Sequence, residues 1–145
     1  MYFIINLTAS PGKPRGPLKV SDVTKNGCKL KWDKPEDDGG KPLSGYLVEK
    51  LDKATGRWVP VGRTSPGETE LEVKGLQEGH EYEFRVKAVN EEGESEPLIT
   101  ESTTIAKNPY GKITFFSLTK DAKYKLVFAN VSPIYISFHV FLNGQ

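Results

Sequence analysis

Between Gly79 and Gly93 the chain alternates without a slip. Tyr82, Phe84, Val86 and Ala88 are apolar, and Glu81, Glu83, Arg85 and Lys87 between them are charged. A period of two with that contrast predicts an extended strand with one face buried and the other in water. A helix would scatter the same apolar residues around its axis, so this stretch commits the chain to sheet. The same pattern recurs upstream. Cys28, Leu30 and Trp32 alternate with Lys29 and Lys31, and Leu71 and Val73 alternate with Glu70, Glu72 and Lys74. No long helical period appears beside them.

Turn signals separate these runs. SPGKPRGP (10–17) is rich in Pro and Gly, DKPEDDGGKPLS (33–44) is a loop, Asp52 to Gly56 turns, and SPGE (65–68) and NEEGESEP (90–97) turn again. Further strands are expected at Leu18–Val23, Tyr46–Lys50, Trp58–Val61 and Leu98–Ile105. Pro60 cannot donate to a ladder, which confines its strand to a sheet edge. Seven short strands in about a hundred residues, each with one face in and one out, predict an all-β, antiparallel, immunoglobulin-like sandwich. Its expected core is Trp32, Tyr46, Val48, Leu71, Val73, Leu76, Tyr82, Phe84, Val86 and Ala88. In Leu76-Gln77-Glu78-Gly79-His80-Glu81-Tyr82, a turn at Gly79 lets the chain cross between sheets. The tyrosine beyond it buries its ring and bonds its hydroxyl to nearby backbone. Asn90 and Gly93 suit left-handed backbone in the hairpin that follows.

Composition narrows the function classes. Residues 11–110 carry 16 Lys/Arg and 18 Asp/Glu, whereas 111–145 carry four and one. A mildly acidic body is a poor match for nucleic acid. The single cysteine, Cys28, cannot form an intrachain disulfide or build a cysteine zinc site, and its place on an alternating apolar face makes it a packing residue. That leans toward a reducing compartment. MYFIINLTAS is apolar but short and has no basic leader region. The apolar average of Leu126–Leu142 is broken by Asn130, Ser132, Pro133, Ser137 and His139, so no membrane association is expected.

Catalytic and metal-binding constellations are not expected either. His80 and His139 are the only histidines. Asp37-Asp38-Gly39-Gly40 lacks the alternating ligands and closing glutamate of a calcium loop. Ser95 has no neighbouring base in the sequence to activate it. The candidate partner-binding residues are Trp58 and the acidic run Glu91, Glu92, Glu94 and Glu96. Trp58 either covers the core from its edge strand or presents a binding face. The acids either meet a basic partner or are simply solvated.

The order and spacing of Pro17, Trp32, Tyr46, Leu76-x-x-Gly79-x-x-Tyr82, Phe84-x-Val86-x-Ala88-x-Asn90 and Gly93-x-Ser95-x-Pro97 resemble a fibronectin type III domain. More narrowly, PEDDGGKPLSGYLVEK (35–50), RWVPV (57–61) and AKNPY (106–110) resemble modules of the giant muscle proteins, the titin, twitchin and projectin group. That resemblance implies a non-enzymatic, monomeric module without cofactor. It further implies a cytoplasmic, A-band place in a tandem array with immunoglobulin-like and type III neighbours, and protein partners that include thick-filament myosin. The rival within the fold is a receptor or adhesion ectodomain at the cell surface. Glycosylation at the Asn6-Leu7-Thr8 sequon would favour that rival.

The expected domain spans 11–108, after a non-domain segment at 1–10 and before a divergent tail at 109–145. The tail holds five of the seven phenylalanines. Its Phe, Ile, Tyr, Asn and Lys have AT-rich codons, Gly111-Lys112 can be encoded by a splice-donor sequence and Thr8-Ala9 across an acceptor-like one, so both ends read as translated intron. A genuine divergent terminus, disordered or with strands in FFSL and YKLVFANV, is the other reading.

Overall fold

The computed structural model describes residues 5, 7–109, 113–115 and 126–128. Two compact units divide the chain, Met1–Lys107 and Asn108–Gln145. The Asn6 sequon, His139 and most of the tail lie outside the described residues. In the second unit, β10 (Ile113–Phe115) pairs antiparallel with β11 (Leu126–Phe128). These strands overlap only partly with the stretches FFSL and YKLVFANV.

The first unit is a sandwich of two antiparallel sheets, and no helix occurs among its described residues. One sheet orders β1 (Arg15–Ser21), β2 (Gly27–Asp33) and β5 (Glu70–Lys74) as β1-β2-β5. The other orders β4 (Arg57–Thr64), β3 (Gly45–Asp52), β6 (Glu81–Asn90) and β7 (Gly93–Glu94) as β4-β3-β6-β7. β8 (Leu98–Ile99) and β9 (Thr104–Ile105) also pair with β6. Pro60 does stand on an edge strand. It lies opposite Glu49 where the β3–β4 register skips Val61, a bulge that frees the ring from the ladder.

Every second residue of β6 enters the core. Tyr82, Phe84, Val86 and Ala88 are buried with Tyr46 and Val48 of β3, facing Leu18, Cys28, Leu30, Trp32 and Val73 of the other sheet. Leu76 closes the core from its loop. Leu71 does not reach the interior; it packs against the core while partly exposed, leaning over Gly62 of β4. Trp32 and Tyr46 meet edge to face at 5.5 Å between centroids. Tyr82 behaves as its spacing predicts. Its ring is buried, and its hydroxyl accepts the Gln77 N–H at 3.0 Å.

The expected strand from Leu98 to Ile105 is broken. Two short pieces, β8 and β9, take its place beside β6 after the hairpin strand β7, and hydroxyls fill the gaps along that edge. Ser95 N–H donates to Ala88 C=O at 2.8 Å while Ser95 Oγ accepts Ala88 N–H at 2.9 Å. Thr100 N–H donates to Phe84 C=O at 2.9 Å while Thr100 Oγ1 accepts Phe84 N–H at 3.1 Å. Each side chain does the work of a strand carbonyl that has turned away.

Asn90 also differs from its expected role. Its backbone is not left-handed; its side chain is a clamp. Nδ2 donates to Ala9 C=O and Asp38 C=O, both at 2.8 Å, and Oδ1 accepts Glu92 N–H and Gly93 N–H. Ala9 N–H donates in turn to Gly39 C=O at 2.8 Å. Gly39 has φ +77°, and a Cβ there would collide with Ala9 O. Residues 8 and 9 are therefore tied to the sandwich, although the sequence places them before its start. At the opposite end, Gly79 N–H donates to Ala106 C=O and Ala106 N–H to His80 C=O.

Ser95→Ala and Thr100→Val each leave a buried β6 N–H without an acceptor, which costs about 1–3 kcal/mol. Urea unfolding monitored by tryptophan fluorescence should show both losses, while exposed Ser102→Ala stays within about 0.5 kcal/mol of the parent.

Candidate functional site

The outward face of the β4-β3-β6-β7 sheet carries an ordered polar cluster. Register places Leu51 opposite both Trp58 and Glu83, Glu49 opposite Arg85, and Leu47 opposite both Arg63 and Lys87. Odd positions of β6 face outward, which brings Arg85 and Lys87 onto one surface with Glu49. Arg85 Nε donates to Glu49 Oε2 at 2.6 Å, and its guanidinium lies 4.4 Å over the Trp58 ring. Lys87 bridges Glu49 at 3.6 Å and Glu94 at 2.9 Å. Lys53 and Glu83 pair at 2.5 Å beside them.

Trp58 is thus neither in the core nor freely presented. It is half-buried on the outer face, roofed by Arg85. Glu49 is only 8% exposed, and Leu47 only 7%. Leu47 is buried outside the main core cluster, on the outer face. Glu49, Arg85, Lys87 and Leu47 were not singled out from the sequence. The available signal was a glutamate on one strand and two cations at alternate positions of another, the arrangement that cross-strand pairing rewards.

Burial pushes the Glu49 carboxyl up, but the Arg85 hydrogen bond and the charges of Arg85 and Lys87 outweigh it and hold the group below its ordinary value. Asp52 is also held low, first by the hydrogen bond from His80 and then by Ala54 N–H. His80 Nδ1 lies 2.8 Å from Asp52 Oδ2.

The acidic run is dispersed. Glu91 pairs with Lys41 at 3.3 Å, Glu92 accepts from Thr8 Oγ1 at 2.7 Å, and Glu94 pairs with Lys87. Glu96 is exposed, and its backbone carbonyl accepts the Ser95 hydroxyl. The four acids do not converge on one partner-facing rim. Asp37 and Asp38 turn their carboxylates to Gly39 and Gly40 N–H, closing the loop on itself. Cys28 is buried, and burial pushes its thiol up to about 12.

A sandwich with this corner and this central strand matches the fibronectin type III domain model over residues 12–105. The chain belongs to the fibronectin type III domain family. Titin of Drosophila melanogaster is 42% identical over 95 residues, 66% of this chain and 0% of titin to the nearest per cent. Cardiac-type myosin-binding protein C of Mus musculus is 33% identical over 118 residues, 79% of this chain and 9% of that protein. The chain thus spans at most 9% of the length of these relatives. Among solved structures, consecutive titin domains superpose with a TM-score of 0.62 at 39% identity, covering 68% of this chain and 33% of theirs. The twitchin kinase region of Caenorhabditis elegans gives 0.61 at 30% identity, covering 68% and 17%. These are fibronectin type III modules of muscle proteins, and the chain is homologous to them.

Because the Glu49 value is lowered by folding, its stabilisation is complete above the ordinary carboxylate value of 4.5 and is lost as pH falls through the lower folded value. Asp52 acts in the same direction. Stability measured by urea titration should therefore drop between about pH 5 and pH 3. Glu49→Gln should be less stable at neutral pH and show a shallower acid limb; an unchanged acid limb would assign the loss to other carboxylates.

Proposed function

We propose that the chain supplies a non-enzymatic structural and protein-interaction module of a sarcomeric titin- or twitchin-like protein, serving as spacer and docking surface on the thick filament. The observation that carries this reading is the pairing of 42% identity to titin with a sandwich pinned at opposite ends. Ala9 is held by Asn90 at the end of β6, and Ala106 is held by Gly79 and His80 just before its start. Ten strand residues separate these anchors by about 30 Å. A module entered at one pole and left at the other adds stiff length in series, as the neighbours in a tandem array require.

The partner we propose is thick-filament myosin, which is named in the myosin-binding protein C relatives. The location we propose is the A-band in the cytoplasm. The receptor or adhesion reading has weaker support, since contactin modules share the fold at 21% identity. An antibody raised against the chain tests the proposal in muscle. We expect a band far above 16.1 kDa on blots of whole extract and striations coincident with the A-band in fibres. A band at 16.1 kDa would remove the tandem array, and labelling confined to the cell surface would replace the sarcomeric reading with the receptor one.

A further inference from the structure

One side chain gathers the entry pole of the sandwich. Asn90 is 4% exposed and uses all four of its side-chain hydrogen bonds. Nδ2 donates to Ala9 C=O and Asp38 C=O, and Oδ1 accepts Glu92 N–H and Gly93 N–H. Three separate pieces of chain thus meet on it: the incoming segment, the 33–44 loop and the hairpin after β6. Two main-chain bonds lay the incoming segment along the loop, Ala9 N–H to Gly39 C=O at 2.8 Å and Gly12 N–H to Asp37 C=O at 2.9 Å. Pro11 and Pro14 are buried. Gly39 and Gly40 leave the room: a Cβ at Gly39 would collide with Ala9 O and Ser10 O, and one at Gly40 would come within 3.3 Å of Leu7 O. Ala9 is exposed and takes part through its own N–H and C=O. The seat therefore holds main chain, and the residue it excludes at position 9 is proline, which has no N–H.

We propose that residues 8–12 form a docked strap, and that Asn90 couples its docking to the order of the 33–44 loop and the 90–93 hairpin. When the strap is drawn away from Gly39, one Nδ2–H of Asn90 loses its acceptor inside a buried site. A buried amide left short of a partner is costly, so Asn90 turns toward water and slackens its hold on Asp38, Glu92 and Gly93. The other bonds at this pole do not replace it. Lys41 and Glu91 join loop to hairpin at 3.3 Å, and Thr8 and Glu92 join strap to hairpin at 2.7 Å, but both pairs lie at the surface in competition with water. Ser44 fastens the loop to Val89 C=O only at its base. Direction or tension in the chain entering the module thereby reaches two surface loops, while the ladders of the sheets stay unchanged. This coupling follows from the bonds of one pole and does not require a sarcomeric location.

Amide hydrogen exchange of the full chain and two proline variants tests the coupling. Ala9→Pro removes the donor to Gly39 and puts a ring carbon where the hydrogen bond ran, at an exposed residue outside the core. Leu7→Pro changes the same segment two residues upstream, where the side chain is 87% exposed. In Ala9→Pro the amides of Gly12, Gly39 and Glu92, which report strap, loop and hairpin, should exchange faster by about 5-fold or more, the factor that one ordinary net hydrogen bond carries. Gly79 and Ala106 at the exit pole should keep the parent's rates, and Leu7→Pro should match the parent throughout. Acceleration at Gly12 with Glu92 unchanged would mean that the strap undocks without effect on the hairpin, and would overturn the proposal. Equal acceleration at Gly79 and Ala106 would overturn it as well, by making the effect a loss of global stability. So would the same pattern in Leu7→Pro, or no acceleration in Ala9→Pro. These rates are read on the chain in solution, so they stand or fall separately from the fibre labelling.

Discussion

The sandwich depends on satisfying the backbone of β6 along both edges. On one edge β3 does so residue by residue from Gly45 to Asp52. On the other no continuous strand is available, because Pro97 has no N–H and the chain leaves the sheet between its short pieces. Were nothing else supplied, the N–H groups of Ala88 and Phe84 would be buried without acceptors, at a cost comparable to losing several hydrogen bonds. Ser95 and Thr100 prevent this. Each gives its own N–H to a β6 carbonyl and accepts the same residue's N–H on its hydroxyl. With this edge closed, the inward column from Tyr82 to Ala88 lies buried at the centre of the core.

How far this was legible in the sequence follows from the range of each interaction. The parity of β6 was readable because burial imposes it locally, position by position. Pro60 announced an edge strand because its missing N–H is a property of the residue alone. The Tyr82 hydroxyl bond was readable because donor and acceptor are five residues apart. Ser95 and Thr100 were not, because whether a hydroxyl is an acceptor for a strand depends on where that strand lies. Asn90 fits a turn statistically, yet its decisive partners are Ala9 and Asp38, 81 and 52 residues away. Leu71 was read as core because parity marks the inward face, but parity does not tell the middle of a sheet from its rim.

The same limit governed the candidate surface. A count of acids marked Glu91, Glu92, Glu94 and Glu96 as a group. The hairpin instead sends three of them to Lys41, Thr8 and Lys87. The structured cluster is elsewhere, around Glu49. Holding a carboxylate that is 8% exposed requires nearby cations, and β6 supplies them at Arg85 and Lys87. Trp58 then has a defined role without entering the core, as the apolar floor under Arg85.

The outer sheet faces bear on what a module in series must do. A spacer gains from surfaces that do not adhere laterally, and the self-paired cluster on the β4-β3-β6-β7 sheet presents little uncompensated charge to a neighbour. On the β1-β2-β5 sheet, register sets Lys31 opposite Glu70 as well as opposite Lys19, and Lys29 and Lys74 pair with Glu70 and Glu72, so that face is charge-mixed too. Ala9 and Ala106 are held at opposite ends of β6, and one sheet face is closed by its own ion pairs.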